Sequence, residues 1–196
     1  QQARLASFLR GRGLGVVEAR EPGGTLAGEA IREFIKVGAP PLSPPAELLL
    51  FLAARAQLVE EVVVPALREG KVVLLDRFVH STLAYQGYGL GVDLGGETAE
   101  ENVARLRELC LMATKGLWPR RVLLLDLPAE EGLARRRLAT PIGDRIEDRD
   151  LEFHRRVRQG YLTLAAAEPE VFLVLDGRGS PERIAAAIEE SLAKEL

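Results

Sequence analysis

Four segments bring together side chains suited to anions or to flat rings. Arg20-Glu21-Pro22-Gly23-Gly24-Thr25 combines a fixed φ at Pro22 with two glycines that let backbone approach a ligand closely. The same composition also describes a plain turn. Phe51-Leu52-Ala53-Ala54-Arg55 sets an aromatic ring and a guanidinium at i and i+4, on one helix face. That pair could stack a base and bond its edge, or be a core phenylalanine beside a surface arginine. Asp76-Arg77-Phe78, then Ser81-Thr82 and Ala84-Tyr85-Gln86-Gly87-Tyr88-Gly89, puts an acid–base pair straight after an apolar run, where unpaired charge is costly to bury. The Arg77 fork suits phosphate, and Asp76 could hold magnesium through water; a structural ion pair is the alternative. The fourth stretch, Arg120 to Arg158, holds ten arginines and eight acids. Arg135-Arg136-Arg137, Thr140-Pro141-Ile142-Gly143 and Asp144-Arg145-Ile146-Glu147 read as a helix, a flap and a second helix. Flap arginines can neutralise a transferring phosphoryl group, although most arginines here read as solvated helix surface.

These segments need elements to hold them. Four short apolar runs, Leu14–Ala19, Lys71–Leu75, Arg121–Leu125 and Val171–Leu175, have the continuous, β-branched character of parallel strands covered on both faces. Aspartate follows three of them. Between them lie helical stretches: Gln2–Arg10, Thr25–Val37, Pro45–Arg68 with Pro65 set to kink its last turn, Thr98–Thr114 opened by a Thr98-x-x-Glu101 capping box, Pro128–Leu138, Leu151–Ala167 and Pro181–Leu196. Alternation of strand and helix predicts an α/β doubly wound parallel sheet with flanking helices. Its ligands are expected outside the carboxyl ends of the strands. With 196 residues and no linker, repeat or low-complexity tract, one domain spanning 1–196 is expected.

Composition excludes several classes. A net charge of -3 argues against a nucleic-acid binder, as does the small arginine surplus of the fourth stretch. One cysteine, Cys110, forbids an intrachain disulfide and a cysteine metal cluster, and two histidines leave little for another metal site. No apolar run approaches the roughly 20 residues that span a bilayer, and Gln1-Gln2-Ala3-Arg4 carries no secretory h-region. The expectation is a cytoplasmic protein with neither nucleic-acid nor membrane partner.

Glu21-Pro22-Gly23-Gly24-Thr25, Phe51-Leu52-Ala53-Ala54-Arg55-Ala56-Gln57, Asp76-Arg77-Phe78, Ser81-Thr82-Leu83-Ala84-Tyr85-Gln86-Gly87 and Asp144-Arg145-Ile146-Glu147 occur in one order. In these motifs the chain closely resembles the bacterial thymidylate kinase (dTMP kinase) family, over nearly all of its length. The resemblance implies a P-loop nucleoside monophosphate kinase fold with a lid near 135–149. It implies transfer of the γ-phosphoryl of ATP to dTMP, giving dTDP for dTTP synthesis, with magnesium as cofactor and a homodimer as the assembly. The apolar Leu48–Val64 helix is then a candidate interface. On matching positions Phe51 would stack on thymine, Arg55 would bond its edge, and Gln86 would approach the base. Tyr85 would sit against the deoxyribose. Arg77 and Arg32 would take the dTMP phosphate; Pro22, Ser81 and Thr82 complete the substrate side. Glu21 and Asp76 would act near phosphates and magnesium. Asp76, Arg77, Arg137 and Arg145 are the catalytic candidates, with Arg136 and Arg137 on the ATP side.

Two departures stand out. Ser81-Thr82 replaces two serines common in the family and keeps both hydroxyls. No GxxxxGK[ST] motif, the P-loop that cradles ATP phosphates, occurs in residues 1–196. The expectation is a natural protein with roughly 15–20 further N-terminal residues, enough for one strand and the loop, and without them a sheet left open beside the Lys71–Leu75 strand. The alternatives are a non-catalytic nucleotide-binding protein and a kinase of another nucleotide or nucleoside.

Overall fold

The computed structural model describes residues 1–38, 40–139 and 148–193, without the side chains of 37, 38, 137 and 139. Strands β1 (Val16–Arg20), β2 (Val72–Asp76), β3 (Val122–Asp126) and β4 (Phe172–Asp176) form parallel pairs β1–β2 and β3–β4. Each ends one residue later than its apolar run, because the ladder carries on to Arg20 opposite Asp76 and Asp126 opposite Asp176. Side chains alternate between faces with the strand period. Val72 and Leu74 pack towards α1 (Gln2–Gly11) and α9 (Pro181–Ala193), as do Leu123 and Leu175. Val73 and Leu75 face Leu58, Val59 and Val63, whereas Val122 and Leu124 face the core beneath α6 (Ala99–Ala113) and α8 (Leu151–Ala167). Both strand pairs therefore rest on one α1–α9 layer. β2 and β3 are not hydrogen-bonded to each other, and among the described residues neither has a second partner strand.

The remaining helices are α2 (Leu26–Glu33), α3 (Pro44–Leu58), α4 (Val64–Arg68), α5 (Val79–Thr82) and α7 (Ala129–Ala139). The expected Pro45–Arg68 helix is continuous but passes through a π-helical turn at Val59–Val63. Pro65 has no N–H to give and its ring would clash with the carbonyl four residues back; widening the preceding turn absorbs both problems. The Tyr85 segment is helical too: α5 runs into a π-helical stretch at Leu83–Gly89. Thr98 caps α6 by accepting from the Glu101 N–H at 3.2 Å. The other half of the capping box is displaced by one residue, since Glu101 accepts from the Glu97 N–H at 2.6 Å, not from Thr98.

α8 lies directly on the Leu83–Gly89 turn, and two glycines make that approach possible. A Cβ on Gly160 would stand 2.6 Å from Tyr88 Cβ, and one on Gly89 would stand 2.7 Å from Phe153 Cε2. Overpacking of this kind costs about 1–3 kcal/mol. Gly160→Ala is therefore expected to lower stability by that amount in a denaturant titration, despite the better helix propensity of alanine.

A polar hub closes the far end of this core. Glu168, just past α8, accepts from Arg107 Nη1 at 2.7 Å and Trp118 Nε1 at 3.0 Å, with His80 Nε2 at 3.4 Å. The His80 ring meets Trp118 and Phe172 edge-on, each 4.9 Å away. Burial pushes the imidazole below its ordinary range, although Glu168 pulls the other way. A histidine neutral in the fold protonates first in the unfolded chain, near pH 6.5. Its contribution is complete above that pH and shrinks as pH falls towards the depressed folded value. Urea midpoints are thus expected to drop on acidification below about pH 6.5. His80→Gln, which keeps an amide donor for Glu168, should flatten that slope; an unchanged slope would place the acid sensitivity elsewhere.

Candidate functional site

A cleft of about 350 Å³ opens at the carboxyl end of β3, between α7, α8 and the residues after β2. Arg77, Tyr85, Leu125, Asp126, Arg136, His154, Arg158 and Tyr161 contribute to its walls. Arg77 follows β2 with φ +69, a left-handed conformation that a residue with a Cβ rarely adopts. Such strain persists only where the surroundings impose it. Here its guanidinium sits 4.8 Å over the Tyr85 ring, a cation–π contact. Tyr85 packs edge-on against Phe153 and Tyr161, and the Tyr161 hydroxyl meets Ser81 Oγ at 2.7 Å. Desolvation pushes the Tyr161 phenol up to about 12, so it remains a neutral hydroxyl. Across the cleft, Arg158 binds Asp126 with both arms of its fork, at 2.7 and 2.8 Å. Those bonds hold the Asp126 carboxyl below its usual range.

Beside the cleft lies a buried ion pair. The Glu21 carboxylate takes Arg55 Nη2 at 2.6 Å and Nε at 3.0 and 3.1 Å. The side chains are 5% and 2% exposed. Arg55 Nη1 donates to Thr82 Oγ1 at 2.8 Å and reaches Cys110 Sγ at 3.6 Å, and Nη2 also donates to the Phe78 carbonyl at 3.1 Å. Burial pushes the Glu21 carboxyl above its ordinary range, with Arg55 opposing that shift. The loop that delivers Glu21 is tightly specified. Its N–H continues the strand ladder to the Asp76 carbonyl at 2.9 Å. Gly24 lies at φ +78 with Leu58 Cδ1 2.7 Å from where its Cβ would be. Thr25 caps α2 through the Gly28 N–H, 2.9 Å away, and Arg32 Nη1 donates to the Pro22 carbonyl at 2.9 Å.

One turn of α3 above and below Phe51 stand Arg55 and Glu47. Glu47 is 1% exposed and Gln86 2%. Gln86 Nε2 donates to Glu47 Oε1 at 3.1 Å, and Arg149 Nη2 donates to Glu47 Oε2 at 2.7 Å.

The expected residues therefore divide. Arg77, Tyr85 and Arg136 share the cleft; Arg136 Nη1 also reaches Asp148 at 3.1 Å. Phe51, Gln86, Glu21 and Arg55 lie outside its walls. Three of the expected residues are engaged with one another. Arg55 has each of its nitrogens bonded within the protein, so bonding a base edge would require exchanging one of those bonds. Thr82 is buried, and its hydroxyl serves Arg55 rather than a ligand. Glu21 does not fit a magnesium ion, because both oxygens face Arg55. Asp76 fits better: its residue is exposed at the strand end, and magnesium is usually held by one or two carboxylates together with water and phosphates. No group of three His, Cys, Asp or Glu forms among the described residues. Pro22 and Arg32 belong to the loop, where one arm of Arg32 is engaged. Arg135 turns away to the Gly177 carbonyl at 2.8 Å. Arg145, and the Arg137 side chain, lie outside the described residues. Asp126, His154, Arg158 and Tyr161 were not among the expected site residues. Asp126 ends a strand as Asp76 does, and His154/Arg158 and Val157/Tyr161 are i,i+4 pairs on α8; these signals pointed to them.

Comparison with known proteins follows this geometry. The sequence model of the family described as Thymidylate kinase matches residues 1–188. A thymidylate kinase of Synechococcus sp. (strain JA-3-3Ab) is 50% identical over 188 residues, 96% of this chain and 85% of that protein. One from Deinococcus radiodurans is 47% identical over 189 residues, 96% of this chain and 86% of that protein. The crystal structure of thymidylate kinase from Ehrlichia chaffeensis superposes with a TM-score of 0.73 at 27% identity, covering 98% of this chain and 86% of that one.

Removing one partner of a buried ion pair leaves the other charged and unpaired, at about 3–5 kcal/mol. Arg55→Met should destabilise the protein on that scale. Adding Glu21→Gln should restore much of the loss, because the stranded charge is gone. Calorimetric or denaturant measurements on the two variants check this; equal losses would show that the pair is not the origin.

Proposed function

The chain belongs to the thymidylate kinase family and phosphorylates dTMP to dTDP with ATP, and we propose that Arg77 takes the dTMP phosphate while Phe51 stacks on its base. The convergence of Arg77, Tyr85 and Arg136 on a cleft at the strands' carboxyl ends carries this reading. Phosphoryl transfer asks little covalent chemistry of a protein. It needs the donor and acceptor positioned and the charge on the moving group neutralised. Arg77, together with Arg32 on α2, supplies positive charge for the acceptor phosphate. Arg136 and Arg137 supply it on the ATP side, with Arg145 as the further catalytic arginine, on one domain with a lid near 135–149. Ser81 is placed to assist through the hydroxyl it shares with Tyr161. Magnesium contributes charge neutralisation between phosphates, and Asp76 is the carboxylate suited to it.

Tyr85 is the candidate for sugar discrimination. Its ring lies directly under the Arg77 guanidinium, which puts bulk where a nucleotide held by that arginine carries its sugar. In the assembly, the proposal is a cytoplasmic homodimer. Leu48, Leu52, Leu58, Val59 and Val63 of the apolar helix are core, so its exposed Leu49, and Met112 on the neighbouring α6, support an interface instead. No described helix is long and apolar enough to cross a membrane.

The experiment is steady-state kinetics of the full-length protein with ATP, magnesium and a panel of nucleoside monophosphates. The expected preference is for dTMP, and Tyr85→Ala should narrow its margin over the ribose counterpart. A panel led by another base would overturn the placement of thymine at Phe51. An unchanged deoxyribose-to-ribose ratio of kcat/KM would remove Tyr85 from sugar selection.

A further inference from the structure

Resting on the placement of the base at Phe51 and Gln86, we propose that Glu47 is a positioning residue for base selection, fixing which end of the Gln86 amide faces the ligand. A side-chain amide has a donor end and an acceptor end that are nearly the same shape. Only its surroundings decide which way it points. Gln86 is almost wholly buried against Glu47. An ionised carboxylate accepts hydrogen bonds and donates none, so the Gln86 nitrogen must face it. The oxygen is thereby turned away from Glu47. Among the described residues that oxygen accepts no hydrogen bond.

Arg149 supports the acceptor role of Glu47. Its Nη2 bonds the second oxygen of Glu47 at 2.7 Å, and its guanidinium rests 4.8 Å over the Phe153 ring. A guanidinium only donates, so both oxygens of Glu47 are used as acceptors, one by Arg149 and one by the Gln86 amide. Glu47 and Phe51 are one helical turn apart on α3, so the oriented amide belongs to the same helix face as the ring proposed to stack the base.

The oxygen turned away from Glu47 selects for a ring N–H. Thymine and uracil present N3–H, a donor flanked by two carbonyls. Cytosine presents N3 as a bare acceptor, which would meet the Gln86 oxygen lone pair to lone pair. The Glu47–Arg149 pair thus favours imide-bearing pyrimidines and disfavours cytosine without touching either. Its action is on discrimination between bases and not on phosphoryl transfer.

The test compares kcat/KM for dTMP and dCMP in the full-length enzyme. Glu47→Gln can donate as well as accept, which frees the Gln86 amide to reverse. The dTMP-to-dCMP ratio should then narrow about three- to tenfold, the scale of one neutral hydrogen bond. Glu47→Asp keeps the charge but withdraws the carboxylate by one methylene, which loosens its hold on the Gln86 amide, so its dTMP-to-dCMP ratio should narrow as well. A purely structural role would lower stability and rates for both substrates together and leave the ratio alone. Gln86→Leu separates the two levels of the argument. If it leaves the ratio unchanged, the base does not sit at Gln86 and the underlying placement fails. If it narrows the ratio while Glu47→Gln does not, the placement stands and the role of Glu47 is overturned. Should Glu47→Gln fail to fold, Glu47→Asp decides, and an unchanged ratio there overturns the proposal.

Discussion

The Glu21–Arg55 pair is the constraint on which the site's architecture depends. Two charges removed from water each cost several kcal/mol, and their mutual attraction repays this only with good geometry and further hydrogen bonds. The structure meets both conditions. Arg55 joins the loop after β1, the hydroxyl of Thr82 on α5, the carbonyl of Phe78 and the thiol of Cys110 on α6. Three chain segments distant in sequence are thereby fixed to one side chain of α3. The π-helical turn at Val59–Val63 is compatible with this, because α3 proper ends at Leu58 and holds its α-helical register through Arg55.

α3 also acts as a ruler. Glu47, Phe51 and Arg55 repeat every four residues, so one face carries an anion, a ring and a cation in sequence. Each ion is neutralised by a partner from another element, Glu47 by Arg149 and Arg55 by Glu21. The ring between them is left as the apolar step. The charges on this face are spent on each other, and the neutral Gln86 is held in one direction by Glu47.

Much of this was legible in the residues. The four apolar runs located the strands to within two residues because a strand buried on both faces needs an uninterrupted apolar stretch, and the aspartates marked the ends where the cleft opens. Arg77 and Tyr85 were legible as neighbours once the intervening chain was taken as helical. The role of Arg55 was not. Its i,i+4 spacing from Phe51 says only that both share a face; whether the guanidinium serves a ligand or Glu21 depends on where a loop thirty-four residues earlier folds back. The bond from Arg55 to Thr82 was hidden for the same reason. Asp126 and Arg158 were passed over because their pairing joins a strand end to a helix thirty residues later, and local spacing carries no trace of it.

The two groups of polar residues differ in physical character. In a dry setting an unmatched polar group is costly. Glu47, Gln86 and Arg55 are buried, and their hydrogen bonds are made within the protein. A phosphate is charged, and a fully enclosed arginine awaiting it would carry a large desolvation cost of its own. Arg77 instead stands at a strand end facing an open cleft, its position imposed through a left-handed backbone turn and the Tyr85 ring. Its guanidinium is held against the Tyr85 side chain. Arg158 is instead committed to the Asp126 carboxylate with both arms, so the cleft's cations are not equivalent despite sharing one wall.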